Sequence, residues 1–130
     1  MIVVDTSALL AIILNEPAGG HCKAALAVES QVVISAGTLA EALLVAGRRG
    51  LRAELENLVG QLGMEVEPVS AASAVRVADA YQQWGRGAGT AGLNFGDCFA
   101  YEAAKSRGCA LLYVGDDFGK ADVESALDPI

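Results

Sequence analysis

The sequence predicts an α/β fold, a three-layer α/β/α sandwich around a central parallel sheet, and three observations carry that expectation. The chain opens on Ile2-Val3-Val4, a strand with no polar alternation, as expected of a strand buried on both faces. A second such run, Cys109-Ala110-Leu111-Leu112-Tyr113-Val114, stands near the other end. Between them strand-like and helix-like stretches follow in the order β-α-α-β-α-α-β-α-α-β, the succession of a layered parallel fold. Four or five strands are expected.

The 130 residues suit one domain spanning 1–130. A hydrophobic content of 53% and a mean hydropathy of +0.39 fit a compact core and argue against disorder. No apolar run approaches the ~20 residues of a membrane helix, and the N-terminus lacks the basic region and cleavage site of a signal peptide. A cytoplasmic protein without membrane contact is the expectation. The three cysteines, Cys22, Cys98 and Cys109, include no C-x-x-C pair, so buried free thiols are expected rather than disulfides or a zinc site. Sixteen acidic against nine basic residues give a net charge of −7. Taken alone this counts against nucleic-acid binding, unless several acids gather in one metal site and leave basic residues free to touch phosphate.

Taken in order, the first strand runs straight into a helix, Ala8 to Leu14, apolar all round and therefore buried. Pro17 is placed to open a second helix near Ala18–Glu29. That helix carries His21, the only histidine, read as a surface or capping residue; its solitude removes Ser-His-Asp and Cys-His mechanisms. Gln31–Ser35 reads as the second strand. The helix after it places Glu41 among Leu39, Ala40, Ala42, Leu43 and Leu44. A carboxylate in that company is costly unless paired, metal-bound or on a wet stripe; pairing with Arg48 is the structural alternative. Arg48 and Arg49 close the helix, and Leu51 to Leu62 makes a fourth with a solvated charged face.

Met64–Val69 alternates like an edge strand, which Pro68 suits, with Glu65 and Glu67 turned together toward solvent. Ser70 caps a fifth helix to about Trp84, with Val75, Ala78 and Tyr81 at core-facing spacing and Arg76 and Asp79 on the surface. Gly85–Gly92 is glycine-rich but matches neither phosphate-binding pattern; it reads as a loop beside a site, from which Arg86 can reach a phosphate. Leu93-Asn94-Phe95-Gly96-Asp97-Cys98 opens a sixth helix that runs to Arg107 and ends at Gly108. Asp97 lies in its first turn, where the helix dipole favours an anion. The last buried strand ends at Gly115-Asp116-Asp117-Phe118.

Two strands thus end in acid, at Asp5 and Asp116, and two helices carry Glu41 and Asp97. In open α/β sheets ligands bind beyond the carboxyl ends of the strands, so all four can meet over one edge. Such a cluster repels itself and retains protons; a hard cation relieves it, and oxygen-only ligands favour Mg²⁺ or Mn²⁺. Phosphodiester hydrolysis is the matching chemistry. A receiver-like phosphoacceptor is the runner-up, but it needs adjacent acids after the first strand and a lysine after a late one, and neither is present. A haloacid-dehalogenase-type phosphatase needs D-x-D, whereas Asp5-Thr6-Ser7 lacks the second acid.

With these residues in hand, the chain resembles the PIN-domain ribonucleases, and closely the VapC toxins of bacterial VapBC toxin–antitoxin pairs. The likeness spans essentially the whole chain. It is carried by Val3-Val4-Asp5-Thr6-Ser7-Ala8-Leu9, Glu41, Gly92-Leu93-Asn94-Phe95-Gly96-Asp97-Cys98 and Leu111-Leu112-Tyr113-Val114-Gly115-Asp116-Asp117-Phe118. It implies a PIN-like fold and Mg²⁺-dependent cleavage of RNA, with Asp5, Glu41, Asp97 and Asp116 matching the acidic quartet. Asp5 and Asp97 match the most direct metal ligands. Thr6 matches a hydroxyl supporting the first carboxylate, and Asp117 is the other choice for the fourth acid. Asp122, preceded by Ala121 where the family often has Thr, is secondary. The resemblance further implies a VapB-like antitoxin and a homodimer. A non-catalytic PIN-like binding module is the remaining alternative.

Overall fold

The computed structural model describes residues 1–89 and 91–127. Its elements are β1 (Ile2–Val4), α1 (Thr6–Ile13), α2 (Gly19–Ala27), β2 (Val32–Ser35), α3 (Ala36–Arg48), α4 (Arg52–Gln61), β3 (Glu65–Glu67), α5 (Ala71–Trp84), α6 (Phe95–Arg107), β4 (Ala110–Leu112) and a 3₁₀ turn, Asp117–Lys120. The four strands are all parallel and lie in the order β3-β2-β1-β4. Ile2 pairs with Val32 on one side and Ala110 on the other. Beyond β4, Leu111 and Ser125 form a single bridge, so a fifth strand is not developed among the described residues. No described helix is long and apolar enough to cross a membrane.

Alternate residues of β1, β2 and β4 feed two cores, as the pleat dictates. Ile2, Val4, Val32, Ile34 and Leu112 pack with Leu9, Ile12, Leu26 and Leu55 from the first four helices. Val3, Val33 and Leu111 pack with Val77, Ala80, Cys98, Ala100 and Phe118. With both faces covered, polar alternation has no place in the inner strands. Because β1→β2→β3 builds outward one way and β4 joins the other flank of β1, the topology reverses at β1. Ligand crevices form at such a reversal, and Asp5 is the residue that follows β1.

Two sequence expectations need correction here. Val75, Ala78 and Tyr81 are exposed; the buried stripe of α5 is Ser73, Val77 and Ala80. Small side chains allow α5 to lie against α6, while the Ser73 hydroxyl is satisfied in a capping box with Ser70. Glu65 and Glu67 do share one side of β3, but both accept from the Arg107 guanidinium at the end of α6 instead of facing water alone. Arg76 lies on the surface as expected, and from there its Nε donates at 3.0 Å to Glu102, whose side chain is only 6% exposed. Removing one partner of such a pair strands a buried charge. Arg76→Ala is therefore expected to cost about 2–3 kcal/mol in urea unfolding, with Glu102→Gln recovering part of the loss in the double variant. His21 is exposed, and all three cysteines are free, with Cys22 and Cys98 buried.

Candidate active site

At the reversal point an open cleft of about 260 Å³ lies between α1, α3 and α6. Its acidic lining is Asp5, Glu41, Asp97 and Asp117, joined by Thr6, Ser7 and Asn94, with Leu10 and Val45 as apolar wall. Four carboxyl groups far apart in sequence thus border one space. Among the described residues no three acids, thiols or imidazoles stand close enough, as they lie, to enclose a cation; the acids ring the cleft.

Each acid is held by a local device. Asp5 leaves β1 extended (φ −95°, ψ 157°) and caps α1. Its Oδ2 accepts from the Ser7 backbone N–H at 3.1 Å and from Ser7 Oγ at 2.7 Å. Ser7 Oγ in turn accepts from the Val114 N–H at 3.0 Å, tying the exit of β4 to the site. The other oxygen of Asp5, Oδ1, is buried with no hydrogen-bond partner. An orphaned buried carboxylate oxygen costs free energy unless a proton or cation meets it.

Glu41 is partly buried and its Oε1 accepts from Thr6 Oγ1 at 2.7 Å. Asp97 occupies the third position of α6 in a capping box with Asn94: its N–H donates to Asn94 Oδ1 at 2.8 Å, and its Oδ2 accepts from Asn94 N at 3.0 Å. The helix-capping role and the cleft position of Asp97 are therefore the same arrangement. Thr6 supports Glu41, not Asp5 as the sequence suggested. The hydroxyl on Asp5 belongs to Ser7, which was not among the sequence candidates; Asp at a helix start signals a cap, but nothing in that signal singles out Ser7.

Burial pushes the Asp5 carboxyl up to about 7, against the two Ser7 hydrogen bonds and with added repulsion from Asp97 and Glu41. Burial also raises Asp97, to about 6; the Asn94 amide opposes this, Asp117 and Glu41 add repulsion, and Arg86 counters it. The Arg86 side chain, exposed on the loop after α5, is thus near enough to act on the site electrostatically. Two carboxyls displaced this far, in one cleft, make it the candidate centre of the molecule. A second cleft of about 260 Å³ lies along α5 and α6; its charged lining is Arg76, Asp79, Glu102 and Lys105, of which Arg76 pairs with Glu102 and Lys105 with Asp122.

The remaining sequence candidates fall as follows. Asp117, first residue of the 3₁₀ turn, lines the cleft; Asp116 precedes that turn, is exposed and is not among the lining residues. Asp122 lies elsewhere, accepting from the Tyr101 hydroxyl and pairing with Lys105 at 3.3 Å. Loss of the Ser7 hydroxyl is expected to leave the fold intact, with Asp5 Oδ2 keeping only the Ser7 backbone N–H and the Val114 N–H losing its acceptor. Ser7→Ala should cost about 1–2 kcal/mol in denaturant unfolding, and Ser7→Thr should restore most of it.

A family model for the PIN domain matches residues 2–124. The chain belongs to the PIN-domain family. Among its relatives, Ribonuclease VapC36 of Mycobacterium tuberculosis is 39% identical over 126 residues, covering 94% of this chain and 91% of the relative. Ribonuclease VapC28 of the same organism is 38% identical over 130 residues, covering 97% and 98%. Within the PIN family the chain therefore stands with the VapC ribonucleases. The same fold is seen in Mycobacterium tuberculosis VapC20, described as a sarcin-ricin loop cleaving toxin, with a TM-score of 0.80 at 19% identity over 98% of this chain and all of that one. It is seen again in a toxin–antitoxin complex from Klebsiella pneumoniae, with a TM-score of 0.69 at 18% identity over 94% and 93%.

Proposed function

We propose that this protein is the toxin of a toxin–antitoxin pair and hydrolyses RNA phosphodiester bonds in a Mg²⁺- or Mn²⁺-dependent manner at the acidic cleft. The observation that carries the reading is the buried, partnerless Oδ1 of Asp5 in a carboxyl raised to about 7, beside a second raised to about 6. The donors fit a hard dication: all are oxygens, and burial disfavours their negative charge unless something positive meets it. Asp5 and Asp97 would hold the cation most directly, with Glu41 and Asp117 completing the site. When bound, such a cation supplies an activated water and offsets charge gathering on the phosphoryl group. Ser7 and Asn94 fix the two principal carboxylates, Thr6 fixes Glu41, and Arg86 attracts the phosphate of an incoming RNA to an otherwise acidic chain. The VapC relatives carry the name ribonuclease, which supports RNA as substrate. The partners expected are a VapB-like antitoxin and a second copy of the chain.

Cleavage of RNA by the purified protein, with Mg²⁺ or with EDTA, tests this against a non-catalytic binding module. Wild type should cut only with the cation, and Asp5→Ala and Asp97→Ala should each lose at least about 10²-fold. Cleavage indifferent to EDTA and to both substitutions overturns the proposal.

A further inference from the structure

We propose that Gly96 is a positioning residue for the cleft: the space its missing side chain leaves on α6 is the space in which the Glu41 carboxylate lies. The inference rests on the cation reading above. A Cβ built at Gly96 would stand 2.9 Å from Glu41 Oε1, 2.5 Å from its Cδ and closer still to Oε2. The backbone itself does not ask for glycine there, since Gly96 is absent from the residues of positive φ, unlike Gly92 and Gly108 on either side of it. Near the start of a helix glycine is also a poor choice, costing up to about 1 kcal/mol against alanine. What glycine supplies is room.

The nature of the obstacle decides the outcome of filling that room. At Gly19 a Cβ would meet the Ala11 carbonyl, which is backbone and cannot yield. At Gly96 it meets the far end of a flexible side chain, so the fold can absorb a methyl by swinging Glu41 away. Glu41 is held from its other side by Thr6 Oγ1 at 2.7 Å, so a displaced carboxylate leaves both Thr6 and the neighbourhood of Asp97, the residue that follows Gly96. Gly96→Ala therefore separates folding from site assembly.

The test is Mn²⁺ binding, read by electron paramagnetic resonance on the purified full chain, for wild type, Gly96→Ala, Glu41→Asp and the double variant. Gly96→Ala should keep the cation-free thermal midpoint of wild type or raise it, and bind Mn²⁺ about tenfold more weakly, the scale of losing a ligand's orientation. Aspartate at 41, one methylene shorter, no longer reaches the methyl, so adding Gly96→Ala to Glu41→Asp should change affinity less than twofold. Affinity in Gly96→Ala within twofold of wild type overturns the inference, as does an equal loss in both backgrounds. Failure of Gly96→Ala to fold overturns it too, because the glycine is then needed for packing and not for the site. A wild type that binds no Mn²⁺ removes the cation reading itself, a failure distinguishable from the others.

Discussion

Asp5→Asn is expected to abolish RNA cleavage and, at pH 8, to make the protein harder to unfold. The substitution keeps the shape and the helix-capping ability of the residue, and an amide oxygen can still accept from Ser7 N–H and Oγ where Oδ2 does now. What disappears is a negative charge in a side chain only 2% exposed. The folded-state value of about 7 stands above the ordinary carboxylate value. The folded protein therefore binds this proton more tightly than the unfolded chain does. The contribution of this carboxyl to stability is therefore largest below about pH 4, falls as pH rises from about 4 to about 7, and is flat beyond. Three units correspond to about 4 kcal/mol; an amide N–H left without a partner at the Oδ1 position returns about 1–2 of that. A net gain of about 2–3 kcal/mol in urea unfolding at pH 8, and little gain at pH 4, is expected. The activity loss should reach about 10³-fold, since the residue is proposed to hold the cation on which cleavage depends. A less stable variant at pH 8, or one that cuts RNA within about tenfold of the wild-type rate, contradicts the role given to Asp5.

The second large effect is competition between protons and cation. Under the proposed reading Mg²⁺ binding requires both Asp5 and Asp97 to be ionised, and burial holds their carboxyls up at about 7 and about 6. At pH 5 the first is about two units and the second about one unit below its own value, so apparent affinity should fall about 10³-fold relative to pH 8. Millimolar Mg²⁺ is thus expected to raise the thermal midpoint by several degrees at pH 7.5 and by nothing measurable at pH 5. RNA cleavage should decline over the same interval. Equal thermal shifts at the two pH values, or a shift preserved in Asp97→Asn, would show that these carboxyls are not where the cation binds.

The layered architecture was legible because strands covered on both faces carry no polar alternation: Ile2–Val4 and Ala110–Leu112 announce themselves. Helix starts were legible where a cap is local, as at Ser70 and Asn94. The phase of α5 was not. Val75, Ala78 and Tyr81 look apolar enough to be core, but contact with α6 selects the small residues Ser73 and Ala80, and packing outranks size. In the site, spacing along the chain brought Asp5, Glu41 and Asp97 into one group. It did not distinguish Asp116 from Asp117, because that depends on Gly115, at φ 102°, and on the 3₁₀ turn that begins at Asp117. Nor did it assign the two hydroxyls of Thr6 and Ser7, since each partner is fixed by how α1 leaves β1 and by α3 lying across it. The vacancy at Gly96 is a relation between two helices and has no signature in either.

Crystals grown with Mn²⁺ at pH 8 offer the most direct test of whether the four carboxyl groups hold a cation. An anomalous difference peak within coordination distance of Asp5 and Asp97, with Glu41 or Asp117 drawn toward it, is the predicted result. A peak at any other place, or none at saturating Mn²⁺, would contradict the metal site and with it the nuclease reading of the cleft.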